Sequence, residues 1–239
     1  MNLNYPVIVL GQKGMIDKYD ENSMEGLLKS IEYGADGVTI DAMKIADNNI
    51  IICNPNSSKA LKKDLKNLTT KEITKMKFTN NQKIHSLEKA FIELPSDTLI
   101  NINVYEEDAI TNIIGMINTL DVSNRTMLST DNINIIKYLS DLNNDFFYAF
   151  RVKEEKVIKE ALELKDDLRF YSINIDYEEI KKCGLDKFKN EISVIQEESL
   201  KIMIENFNDC SKLEDLKNYV DILETREINN CIEILEKIY

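Results

Sequence analysis

The chain has 239 residues, 43% of them hydrophobic, with three Pro and seven Gly; it can bury a full core, shows no linker-like stretch, and is expected to form one domain over residues 1–239. Acids exceed bases 42 to 30, a formal charge of −12 that disfavours nucleic acid and anionic membrane surfaces as partners. No 18 apolar residues run together, and no basic segment precedes the apolar run after Met1-Asn2-Leu3-Asn4-Tyr5, so neither a membrane span nor a secretory leader is expected and the protein is placed in the cytoplasm.

In chain order, Pro6–Leu10 is a short apolar run of strand length that ends in Gly11-Gln12-Lys13-Gly14, a turn with two glycines. Asn22 with Glu25 is expected as a capping box, Met24, Leu27, Leu28 and Ile31 fall at helical spacing, and Gly34 suits a helix stop. Gly37–Asp41 then forms a strand ending in an acid, Ala42–Asn49 a polar turn, and Ile50–Asn54 a second apolar strand ending in a polar side chain. In parallel α/β proteins such strand ends converge on one mouth.

Thr69 with Glu72 caps a short helix, Ser86 opens another through Leu94, and 98–104 alternates as a strand should. Further strands are expected at 126–129, 146–150, 170–175, 201–206 and 220–224. Helices are expected at 106–119, 131–142, 153–164, 177–189, 211–219 and 228–238. This alternation, with about nine strands, predicts an α/β fold in which a parallel sheet closes into a (β/α)8 TIM barrel; the step from Asp41 to Ile50 is too short for a crossover helix and marks an irregular unit.

Cys53, Cys183, Cys210 and Cys231 are widely spaced, so reduced thiols are expected rather than a zinc site or disulfide framework. His85 is the only histidine and precedes a helix cap, away from the expected mouth, so it is assigned no catalytic role. Ser23, Ser129 and Thr130 have no histidine near enough to activate them. The lysines Lys59, Lys62, Lys63 and Lys66 read as a solvated face.

The order of these segments resembles the glycerophosphodiester phosphodiesterase family. Gln12-Lys13-Gly14 stands where that family has His-Arg-Gly, Asp20-Glu21-Asn22-Ser23 where it has Pro-Glu-Asn-Thr, and Gly34-Ala35-Asp36-Gly37-Val38-Thr39-Ile40-Asp41 where it has Gly-Ala-Asp-Gly-x-Glu-x-Asp. Asp47-Asn48 follows for an Asp-Gly turn, Ile51-Ile52-Cys53-Asn54 for a strand ending in His-Asp, and Asn101-Ile102-Asn103-Val104-Tyr105 for Asn-Ile-Glu-Ile-Lys. The match is firm over residues 6–105. Beyond them, Met203–Asn208 and Val220–Thr225 resemble the last two strands more loosely.

The resemblance implies a barrel of the phospholipase-C-like phosphodiesterase type, acting in lipid metabolism as a phosphoric diester hydrolase with a divalent metal and two histidines. Mapped onto this chain, the histidines are Gln12 and Asn54, and the three metal-ligating acids are Thr39, Asp41 and Asn103. A carboxamide exchanges no proton near neutral pH, and losing one proton-transfer partner removes about 10²–10⁴-fold in rate. One carboxylate among neutral oxygens should hold Mg²⁺ or Ca²⁺ weakly at best.

The expected product is a pseudoenzyme whose mouth, lined by Gln12, Lys13, Asp41, Asn54, Asn103, Tyr105 and Asn208, binds a small polar or phosphorylated ligand or a protein partner without turning it over. A vestigial pocket is the blander alternative. The rival reading is a metal-dependent phosphodiesterase that rebuilds its site with acids such as Asp17, Asp20 or Glu205.

Overall fold

The computed structural model describes residues 6–14, 19–56, 64–77, 81–142, 146–152, 155–197 and 199–239. Asp17, Lys59, Lys62 and Lys63 lie outside the described residues. The strands are β1 (Ile8–Gly11), β2 (Gly37–Lys44), β3 (Ile50–Ile52), β4 (Leu99–Val104), β5 (Thr126–Thr130), β6 (Phe147–Val152), β7 (Ser172–Asp176), β8 (Lys201–Glu205) and β9 (Ile222–Thr225). They pair in the order β1-β9-β8-β7-β6-β5-β4-β2, all parallel, and a β1–β2 pairing closes the ring. The result is an eight-stranded barrel with helices in the connections.

The irregular unit proves to be a hairpin. Where the sequence suggested a polar turn from Ala42, β2 continues to Lys44 because Ala42 and Met43 keep burying their side chains, and β3 returns antiparallel to it with Ala42 opposite Ile52. The ninth strand is therefore an appendage of β2, and no crossover helix is needed there.

Alternation along the strands separates two environments. One set of side chains, including Val9, Val38, Ile40, Ile100, Ile102, Ile173, Ile202 and Ile204, packs against the surrounding helices. The alternate set fills the barrel: Leu10, Met127, Ala149, Met203 and Ile222 form an apolar cluster. Further along the same strands the buried residues are Thr39, Asp41, Asn103, Ser129, Asn174, Glu205 and Glu224. The barrel interior is thus apolar below and polar above.

Asp36 ties the closure together, because its Oδ2 accepts from Val9 N (2.8 Å) while its own N–H donates to Val9 O (2.9 Å). Two local expectations change. Asn22 is not the first helix's cap; Ser23 is, accepting from Gly26 N (3.2 Å), which frees the Asn22 side chain for the barrel mouth. The single helix expected at 177–189 is two, Tyr177–Cys183 and Leu185–Glu197, parted by Gly184 at φ 88°. Glycine alone adopts that conformation without strain.

Gly37 begins β2 between β1 and β4, where a Cβ would lie 2.3 Å from Leu99 O, whereas Gly115 sits on an exposed helix face with nothing within 4 Å. Gly37→Ala should lower stability by about 1–3 kcal/mol, and Gly115→Ala should raise it by about 0.5–1 kcal/mol. Urea-unfolding midpoints of the two variants check both signs.

Candidate ligand site at the barrel mouth

Asp41 lies at 0% exposure on β2 and is the hub of the mouth. Its Oδ2 accepts from Asn22 Nδ2, Asn54 Nδ2 and Lys13 Nζ, each at 3.0 Å, and its Oδ1 accepts from Asn103 Nδ2 (3.0 Å) and Tyr105 Oη (2.7 Å). Asn22 also takes the Asp41 backbone N–H on its Oδ1 (2.8 Å). Five donors on two oxygens exceed the roughly four lone-pair positions a carboxylate offers.

The electrostatics follow from this geometry. Burial alone would raise the Asp41 pKa, but the Lys13 ammonium and the Asn103, Tyr105 and Asn22 donors outweigh it and hold the carboxyl below its ordinary value. Burial opposes the Lys13 charge, yet Asp41, with Glu21 beside it, keeps its pKa above the ordinary value. Burial and the Asp41 charge push the Tyr105 hydroxyl far upward, so it stays a donor.

Of the residues expected at the mouth, Lys13, Asn54, Asn103 and Tyr105 converge on Asp41. Gln12 does not; its Nε2 donates to Asn206 Oδ1 just past β8, two strands along the ring from β1, and its backbone N–H bonds Thr225 O (2.9 Å). Asn208 braces the neighbouring loop, its Oδ1 accepting from Arg226 N (2.9 Å). Thr39 accepts from Lys13 N (3.1 Å) and donates to Glu224 Oε1 (3.1 Å). Asp20 bonds Gln82 through its backbone, and His85 lies among Glu25, Lys83, Lys89 and Glu93, with burial and Lys89 lowering its pKa.

A second ionic centre faces the first. Arg151, on β6, forms a fork with Glu205, on β8: Nε reaches Oε1 at 2.8 Å and Oε2 at 3.0 Å, and Nη2 reaches Oε2 at 2.7 Å. The guanidinium carbon also stands 5.9 Å from the Tyr105 ring centre, linking the two centres. Glu224 is buried at the end of β9, in the layer of Glu205, and burial together with the Glu205 charge pushes its pKa up to about 8.

Of the residues at these two centres, Glu205 stands out in the sequence, whereas the parts played by Arg151, Asn22, Asn206 and Glu224 emerge only from the structure. The available signal was strand alternation: Arg151 lies two residues beyond Ala149, and Glu224 two beyond Ile222, both of which face the barrel interior.

This donor set does not fit a hard dication. Both Asp41 oxygens are taken, Thr39 directs its hydrogen to Glu224, and Asn103 turns its NH₂ toward Asp41. Among the described residues no three His, Cys, Asp or Glu side chains converge as a metal-binding group. No described helix is long and apolar enough to cross a membrane.

Removing Lys13 should therefore hurt more than an ordinary salt-bridge deletion. Lys13→Met leaves a buried carboxylate without its cation and should cost about 3–5 kcal/mol. Lys13→Met combined with Asp41→Asn should recover part of that loss, measured by urea unfolding at neutral pH. Glu224 adds a pH dependence. Its folded pKa lies above its unfolded value, so its contribution is full below about pH 4.5 and is lost as pH rises toward 8. Wild type should lose a few kcal/mol between pH 5 and pH 8 relative to Glu224→Gln, compared by denaturation at the two pH values.

No protein-family model and no curated protein sequence matches the chain. Solved structures do. A glycerophosphodiester phosphodiesterase from Thermotoga maritima superposes with TM-score 0.81 at 22% identity, covering 95% of this chain and 98% of its own. One from Parabacteroides distasonis gives 0.81 at 18%, covering 98% of both chains. An Oleispira antarctica phosphodiesterase, solved with the product sn-glycerol-3-phosphate, gives 0.83 at 16% and covers 96% of both. Over at least 95% of its length, the chain superposes on the fold of the glycerophosphodiester phosphodiesterases.

Proposed function

We propose that this barrel is a non-hydrolytic relative of the glycerophosphodiester phosphodiesterases that binds a small polyol-like ligand at its mouth. One observation carries the proposal: the Asp41 carboxylate is saturated by Lys13, Asn22, Asn54, Asn103 and Tyr105. An internal ammonium answers the charge that a divalent metal would otherwise answer, and the positions matching the family's two histidines hold carboxamides. The family's phosphodiesterase mechanism would find here neither the carboxylate set for its metal nor its two histidines.

The ligand class follows from what the mouth lacks. Gln12 Oε1 and Asn103 Oδ1 are buried acceptors without a donor among the described residues, and such groups favour ligands that bring O–H or N–H. The half-buried cations Lys13 and Arg151 are each already paired with a carboxylate. A phosphate would have to compete for them, while a neutral polyol would not. The Oleispira structure holds sn-glycerol-3-phosphate; the glycerol part is the part this mouth suits.

One observation favours the enzymatic alternative. Glu224, with its pKa pushed up to about 8, could donate a proton near neutral pH. The test is hydrolysis of glycerophosphocholine and an aryl phosphodiester with Mg²⁺, Ca²⁺ or Mn²⁺, alongside glycerol binding by saturation-transfer NMR. Wild type should show no turnover above Glu224→Gln, and glycerol should bind wild type more strongly than Asn103→Ala. Metal-dependent turnover that Glu224→Gln abolishes would establish the enzyme instead.

A further inference from the structure

The opposite end of the barrel holds a cavity of about 220 Å³. Leu10, Met127 and Ile222 contribute apolar walls, and Phe147 and Tyr171, packed edge to face at 4.9 Å, are partly exposed beside it. Asn101, on β4, also lines it and is 1% exposed.

The Asn101 amide has a fixed orientation, and the reason lies at the mouth. Both Glu205 oxygens accept from the Arg151 fork, and Oε1 also takes Asn174 Nδ2 (3.2 Å), which sets the orientation of the Asn174 amide. Asn174 Oδ1 accepts from Ser172 (2.8 Å), which agrees with that orientation. The same Nδ2 donates to Ser129 Oγ (3.1 Å), and Ser129 sends its hydrogen to Asn101 Oδ1 (2.6 Å). The chain of donors ends at Asn101 Nδ2, a buried N–H₂ with no acceptor among the described residues. Flipping it would leave Ser129 without an acceptor and Asn101 with an unpartnered oxygen, so the chain fixes Nδ2 as the unpaired atom of a residue in the cavity wall.

We propose that this cavity is a second ligand site, separate from the mouth, for a small neutral apolar molecule carrying one carbonyl oxygen that accepts from Asn101 Nδ2. Size sets the class. An apolar cavity of about 150 Å³ holds benzene, so this one has room for a ring bearing an acetyl-sized group. Charge narrows it further: Arg125 borders the cavity, but its Nη1 and Nη2 donate to Pro95 O (2.8 Å) and Phe91 O (2.6 Å), which leaves a carboxylate no fork to dock on.

The test uses three probes of similar size on the full chain, acetophenone, ethylbenzene and benzoate, followed through the methyl resonances of Leu10, Met127 and Ile222. Acetophenone should shift these methyls and bind roughly 3- to 10-fold more tightly than ethylbenzene, the worth of one neutral hydrogen bond, with benzoate weakest. In Asn101→Leu the preference over ethylbenzene should vanish while ethylbenzene still binds. Because the wild-type comparison stands without the variant, a variant that fails to fold does not rescue the idea. Methyls that do not move with acetophenone, or ethylbenzene or benzoate binding as tightly as acetophenone, would overturn it.

Discussion

A carboxylate at 0% exposure needs partners, and the mouth of this barrel is arranged around the partners of Asp41. An uncompensated buried charge costs several kcal/mol, so the five donors are a condition of folding before they are a binding site. They come from four separate stretches: Lys13 after β1, Asn22 before the first helix, Asn54 after β3, and Asn103 with Tyr105 at the end of β4. One side chain thereby fixes the loops on half the ring. The backbone shows the constraint as well, since Lys13 (φ 52°), Asn22 (φ 61°) and Asn206 (φ 56°) all adopt left-handed conformations near the mouth. Such residues persist where surrounding contacts hold them in place.

The other half of the ring depends on Arg151 in the same way. Three interior acids, Asp41, Glu205 and Glu224, share two interior cations, Lys13 and Arg151, and the cations are spent on Asp41 and Glu205. Glu224 is left with a threonine hydroxyl, which is why burial and the Glu205 charge prevail there and raise its pKa. Protonation of Glu224 would make the interior charge neutral. The fork on Glu205 also orients Asn174, Ser129 and Asn101 in turn, so the ionic arrangement at the top of the barrel decides which atom of Asn101 is left unpaired beside the cavity at its bottom.

Much of this architecture was legible in the sequence because strand and helix periodicities are local. The barrel strands lie within about two residues of the sequence-based expectation except the end of β2, which runs three residues further to Lys44, and the resemblance to the phosphodiesterases singles out Asp41 with its neighbours Lys13, Asn54, Asn103 and Tyr105. What escaped was long-range. Asn22 looked like a helix cap because a capping box is a local pattern, whereas its role is set by a residue 19 positions on. Arg151 lay just past the strand's expected end, and only its contact with Glu205, 54 positions away, shows its part. The last three residues of β2 read as turn in the sequence because Ala42 and Met43 look equally at home in either.

In this chain the shared fold surrounds a mouth whose composition differs from the family pattern at identifiable atoms. The superpositions with phosphodiesterases extend over nearly the whole chain at 16–22% identity, and a shared barrel does not by itself carry an activity. A divalent metal at such a mouth would draw loop side chains toward a common centre; here the Lys13 ammonium with three carboxamides and a phenol draws them toward Asp41 instead. An ammonium gives directed hydrogen bonds but no open coordination position, so it can hold the mouth in shape without polarising a phosphoryl oxygen or activating water. A divalent metal entering this mouth would have to displace that ammonium from Asp41 before it could act there as a Lewis acid.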